Sequence, residues 1–165
     1  MDSMQKDMNE LRQHLRSGSL QKAYRALLDY MMALRMHLQK RYPDYSVSGL
    51  YQGYFDMTYF AVFPPSLKRR GLKIALVFNY GPFRLEAWLA GRNRQIQRKY
   101  WGLFKDTQWA QYRIVTPAVG VDSIVECNLA EHSDFHDPET LTYAIEKKVA
   151  KFTSDVERFL SRHDK

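Results

Sequence analysis

Residues 72–90, LKIALVFNYGPFRLEAWLA, decide the fold. Their first half is almost continuously apolar, the signature of a strand covered by neighbours and so central in its sheet. Gly81-Pro82 then marks a tight turn. From Phe83 the pattern alternates, with Phe83, Leu85, Ala87 and Leu89 on one face and Arg84, Glu86 and Trp88 on the other. Two strands joined by so short a turn pair antiparallel.

Working towards the N-terminus, residues 45–63 also alternate. Tyr51, Phe55, Met57, Tyr59, Ala61 and Phe63 share one face, and Gln52, Tyr54, Asp56 and Thr58 share the other. This reads as one strand bent at Gly49 and Gly53, closed by Pro64-Pro65-Ser66, with Lys68-Arg69-Arg70-Gly71 as a basic turn. Further upstream the period becomes helical. Met4, Met8, Leu11 and Leu15 mark a helix over 3–16; Leu20, Tyr24, Leu27, Met31, Leu34 and Leu38 mark a second from Ser19 to about Lys40. Gly18 suits the left-handed residue between them, and Pro43 forbids continuation.

Downstream, Asn93 caps a helix to about Lys105, with Ile96, Tyr100, Leu103 and Phe104 inside. Residues 112–116 and 119–129 read as strands split by Pro117 and Gly120. Asp137-Pro138 starts a last helix to about His163, striped by Leu141, Ile145, Val149, Phe152, Val156 and Phe159. The expectation is an α+β fold: an N-terminal helical hairpin, an antiparallel sheet of about five strands with a connecting helix, and a long C-terminal helix. It forms one domain over residues 1–165.

The 165 residues are 45% hydrophobic and 26% charged, ordinary for a folded chain and enough for a core without staples. One cysteine, Cys127, excludes an internal disulfide. Neither a signal peptide nor an apolar run of about 20 residues is present, so a cytoplasmic location is expected, with no membrane partner. The net charge of +7 is uneven. Residues 66–105 hold ten cations against Glu86 alone, which favours an anionic partner. A solubilising basic surface is the plainer reading.

Lys68, Arg69, Arg70, Arg92, Arg94, Arg98 and Lys99 converge on an anion if the basic turn and the helix after Ala90 lie at one sheet end. Trp88, Tyr100, Trp101 and Trp109 are near in sequence, and cations beside aromatic platforms suit nucleotides or single-stranded nucleic acid. The alternative is that the aromatics fill the core. Asp56 and Glu86 sit mid-strand, where two acids on one face hold a divalent metal and Arg84 offsets phosphate charge. Restriction-type nucleases add a lysine two residues after the Glu, and Trp88 stands there; a Glu86–Arg84 salt bridge is the plainer account. His132 and His136 share a face only on a helix, and the Asp137-Pro138 start makes their segment a loop, so they are weak metal candidates. Tyr51, Gln52, Tyr54, Thr58 and Trp88 are pocket candidates on a polar, tyrosine-bearing sheet face. Cys127 alternates with Val125 and Ser123 and reads as buried; His14 and His37 read as surface residues. No phosphate loop or nucleophile elbow is present, and no cofactor is expected.

Pro43-Asp44-Tyr45, residues 48–54 (SGLYQGY), 56–60 (DMTYF), 72–78, 83–89 and 120–126 (GVDSIVE) together resemble an uncharacterised bacterial family, a domain of unknown function, over nearly the whole chain. The resemblance implies one domain and no catalytic residues. Three functions follow from the residues: a small binding module for an anionic partner such as nucleic acid or a nucleotide; a metal-dependent hydrolase using Asp56 and Glu86; or a homodimeric or protein-interaction scaffold built on the first helix.

Overall fold

The computed structural model describes residues 2–165, the side chains of His132 and Ser133 lying outside the described residues. Helix α1 (Ser3–Leu15) is capped by Asp2, and Gly18, at φ +79°, turns the chain into α2 (Ser19–Arg41). A two-residue strand β1 (Ser46–Val47) precedes β2 (Met57–Phe63) and a one-turn helix α3 (Pro65–Lys68). The hairpin of β3 (Leu72–Asn79) and β4 (Arg84–Gly91) follows. Helix α4 (Arg94–Asp106) leads to β5 (Arg113–Ile114) and β6 (Ser123–Glu131). A 3₁₀ turn (His132–His136) and the long α5 (Pro138–His163) close the chain.

The sheet has six strands in the order β1-β2-β3-β4-β6-β5, every neighbouring pair antiparallel. The α+β class holds, with β3 and β4 at the centre as their apolar runs require. Ile74, Leu76 and Phe78 of β3 and Leu85, Ala87 and Leu89 of β4 meet α2, α4 and α5 in one core. All six expected stripe residues of α5 are buried there. Helix α2 buries Met31, Leu34 and Leu38 but not the first half of its stripe, and α1 buries nothing.

Residues 45–63 are not one strand. Gly53 at φ +76° and Phe55 at φ +61° turn the chain over, so Tyr51 instead pairs back onto Tyr59 as an isolated bridge. Alternation is blind to such a reversal, because the residues on either side still read as strand. Residues 65–68 and 132–136 are helical turns where a turn and a loop are expected.

No helix residue joins the second apolar cluster, which lies on the opposite sheet face and consists of Ala75, Val77 and Trp88 with Met57 and Tyr59 packed on it. Among the described residues no helix is long and apolar enough to cross a membrane.

Candidate functional site

The β3–β4 register builds the site. Ala75 faces Trp88, Val77 faces Glu86, and Leu72 faces Gly91, so the start of β3 and the end of β4 share one sheet edge. The Arg92 N–H donates to the Gly71 carbonyl at 2.8 Å, which sets Arg92 beside the basic turn. Gly71 is at φ +75°, and a Cβ on it would stand 3.2 Å from the Arg92 side chain, so glycine gives Arg92 room to lie there. Gly91 plays the same part for α4: its added Cβ would stand 2.9 Å from the Gln97 backbone nitrogen. The Asn93 side chain accepts the Ile96 N–H at 2.8 Å and starts α4 at this corner.

The result is a cavity of about 330 Å³ on the open face, walled by Tyr59, Lys73, Trp88, Arg92, Arg94 and Gln97 among others, with Asp122 at its rim. Trp88 is only 8% exposed, and its indole N–H meets no acceptor among the described residues. An orphaned buried donor costs about 1–3 kcal/mol. Burial, then Asp122 and Tyr51, push the Tyr59 phenol above its ordinary value, so at neutral pH it remains an O–H donor. Gln97 is buried; it donates to the Val121 carbonyl at 2.8 Å and accepts from Arg94 at 2.8 Å, fixing Arg94 at the rim. Arg94 also bonds the Val121 carbonyl and pairs with Asp122 at 3.3 Å. Among the described residues no carboxylate pairs with Lys73 or Arg92.

The other expected anion ligands divide. Arg70 Nε binds the Asp164 carboxylate at 3.0 Å, Lys99 approaches it at 3.8 Å, and the Tyr100 hydroxyl donates to it at 2.7 Å. These three tie α3 and α4 to the end of α5 on the helix side. Lys68 reaches Ser46 at 3.0 Å, and Arg69 and Arg98 are exposed. Of the neighbouring aromatics only Trp88 reaches the cavity. Tyr100 is buried in the core, Trp109 packs on Phe104 and Phe159, and Trp101 lies under Lys105.

The pocket candidates do not form one face. Tyr51 stands against Tyr59 with ring centroids 5.1 Å apart, Tyr54 is exposed, and Thr58 is buried on the helix side. There the Thr58 hydroxyl bonds the Gln52 carbonyl and meets the Tyr80 hydroxyl at 2.8 Å. Asp56 precedes β2, and its carboxylate accepts the Tyr54 N–H at 2.8 Å within its own bend. Glu86 lies on the open face and accepts from Arg84 at 3.1 and 3.2 Å and from Asn79 at 2.9 Å. The two acids share no hydrogen-bond partner. His132 as a ligand lies outside the described residues, and His136 is exposed. Among the described residues no group of three or more His, Cys, Asp or Glu is placed to hold a metal.

Cys127 packs against the core, and burial pushes its thiol up. His37 is not a free surface residue: its Nε2 lies 2.9 Å from Glu146 of α5. Sequence reasoning missed Lys73 and Gln97. Lys73 was legible, being a lone cation alternating with Ala75 and Val77; nothing in the pattern of α4 separates Gln97 from its polar neighbours.

No curated protein and no solved structure matches the chain. A family model does, over residues 4–160, bearing out the resemblance seen in the sequence. The chain belongs to the family described as Domain of unknown function (DUF7000).

Proposed function

We propose that this protein is a cytoplasmic binding module for an anionic ligand that carries a flat ring, a nucleotide or a short single-stranded nucleic acid, seated on the open sheet face. One observation carries the reading: Lys73 and Arg92, without acidic partners among the described residues, border a cavity lined by the Trp88 and Tyr59 rings. Cations take the phosphate, and the Trp88 and Tyr59 rings give a surface for the base. A volume of about 330 Å³ suits a single nucleotide unit rather than a duplex.

The test is fluorescence anisotropy with labelled nucleotides, single-stranded DNA and RNA, and duplex DNA. With Lys73, Arg92 and Arg94 as the contacting cations, affinity for single strands should fall about twentyfold between about 50 and 200 mM salt. Lys73→Ala and Arg92→Ala should each weaken binding about tenfold, and duplex should bind worst. Absence of binding at the lower salt overturns the reading.

A further inference from the structure

We infer, resting on the anion site proposed above, that this site takes a phosphate monoester, the doubly charged terminal phosphate of a nucleotide or of a strand end, in preference to the singly charged diester inside a strand. The residues that line the cavity carry three cations, Lys73, Arg92 and Arg94, against one acid, Asp122. Arg94 pairs with Asp122 at 3.3 Å. Among the described residues no carboxylate pairs with Lys73 or Arg92. Two positive charges are left unanswered, and a phosphate monoester carries close to two negative ones at neutral pH.

The ladder brings those two charges to one place. Lys73 is opposite Ala90, and Arg92 follows two residues later, its N–H bonded to the Gly71 carbonyl. The two cations are therefore diagonal neighbours on one face, rooted about 7–8 Å apart, within reach of a single phosphate. Trp88 lies two residues before Ala90, about 7 Å along the strand, and opposite Ala75. Ala75 and Ala90 also line the cavity, and their small side chains leave room for a pentose between ring and phosphate. Asn93 and Arg94, at the start of α4, line the same cavity, so the positive end of that helix adds to the field.

Glu86 and Glu126 share this sheet face but are engaged elsewhere. Glu86 accepts from Arg84 and Asn79. Glu126, opposite Trp88, accepts from the Ser123 hydroxyl at 2.8 Å and lies 3.8 Å from Arg113. None of the described residues that line the cavity is a histidine, and the Tyr59 phenol is held above its ordinary value. The pH dependence of binding near pH 6 therefore belongs to the ligand phosphate, whose second pKa is about 6. The site favours the doubly charged form, so affinity is full above that value and falls as pH drops through it.

Titration calorimetry with the common nucleoside 5′-monophosphates and their phosphate methyl esters, at about pH 7.5 and about pH 5, tests it. At the higher pH the best-bound monophosphate should bind about tenfold tighter than its ester, the worth of one further charge beside two partly solvated cations. At the lower pH only about a tenth of it stays doubly charged, so the advantage should shrink to about twofold. Lys73→Gln and Arg92→Gln should each cut the advantage at the higher pH to about threefold. A single strand ending in a 5′-phosphate, set against the same strand ending in a hydroxyl, separates the two sources. The phosphorylated strand outbinds the free monophosphate if the ligand is a strand end, and binds more weakly if it is a nucleotide. Equal affinity of monophosphate and ester at the higher pH overturns the inference and leaves the anion site standing. So does an advantage that survives in full at the lower pH or in both variants. If neither monophosphate nor ester binds, the site itself falls with it.

Discussion

Replacing Glu86 by Gln separates an ion pair from a metal ligand. Glu86 is only 2% exposed, although no helix covers its face. Its Oε2 accepts from Arg84 Nε at 3.2 Å and Nη2 at 3.1 Å, and its Oε1 accepts from Asn79 Nδ2 at 2.9 Å. Asn79 and Arg84 are opposite one another in the β3–β4 ladder, so all three groups converge from one end of the hairpin. A Gln keeps the shape but offers one acceptor, so its NH₂ must face either the Arg84 guanidinium or the Asn79 amide. Losing the charged acceptor costs about 1.5–3 kcal/mol, and relief of a desolvated carboxylate returns part of it. A net destabilisation of about 2 kcal/mol is expected, or a fall of about 4–8 °C in Tm at this chain length. Calorimetric melts at neutral pH measure this, and a double-mutant cycle with Arg84→Met should give a coupling of about 1 kcal/mol or more. The melts are repeated with millimolar magnesium and manganese. A Glu86→Gln protein within about 0.5 kcal/mol of wild type refutes the ion-pair reasoning. A metal-dependent rise in Tm that Glu86→Gln abolishes refutes it too, and restores the hydrolase reading.

Three further outcomes follow from the helix side and the site rim. Burial opposes ionisation of Asp155 and Asp164, but Lys151 and Tyr112 at the first and Tyr100 and Arg70 at the second hold both carboxyls below the ordinary range. With folded values depressed, their stabilisation is present above the unfolded value of about 4 and is lost as pH falls below it; Tm should drop steeply there, and less so in Asp155→Asn. Tyr100→Phe removes the 2.7 Å bond to Asp164 and should cost about 1–2 kcal/mol in melts while leaving anion binding unchanged. Gly91→Ala drives a methyl against the first turn of α4, so Arg94 and Gln97 shift; ligand affinity should fall several-fold, read by the same anisotropy titration.

The hairpin of β3 and β4 was legible because its apolar run, turn and alternation all point the same way, and Asn93 and Asp137-Pro138 mark α4 and α5 by cap chemistry. Residues 45–63 failed because two left-handed residues, Gly53 and Phe55, reverse the chain without disturbing the period of two. Thr58 consequently lies inside, where Gln52 and Tyr80 satisfy its hydroxyl. For the candidate site, the cations were legible as a surplus, but not which of them shares a face. That depends on register: Gly71 lies beside Arg92 only because Leu72 pairs with Gly91. Asp122, just before β6, and Gln97 of α4 enter through elements whose placement against β4 no local pattern specifies.

The same register turns a bulk charge into a directional one. The surplus of residues 66–105 is not a uniform coat, because the acidic C-terminal segment neutralises it more fully on the helix side. Asp164, at the end of α5, takes Arg70 and Lys99 on the helix side. Among the described residues that line the cavity Asp122 is the one acid, 67% exposed and paired with Arg94. An anion arriving there displaces one weak surface pair and meets Lys73 and Arg92 uncontested. Asp122→Asn should therefore tighten anion binding. The pair is solvent-screened, worth about 0.2–1 kcal/mol, so the gain is at most about fivefold. Arg70→Ala should destabilise the fold without touching affinity. If Asp122→Asn weakens binding, or Arg70→Ala weakens it as much as Arg92→Ala does, the anion sits on the helix side and the open-face site is wrong.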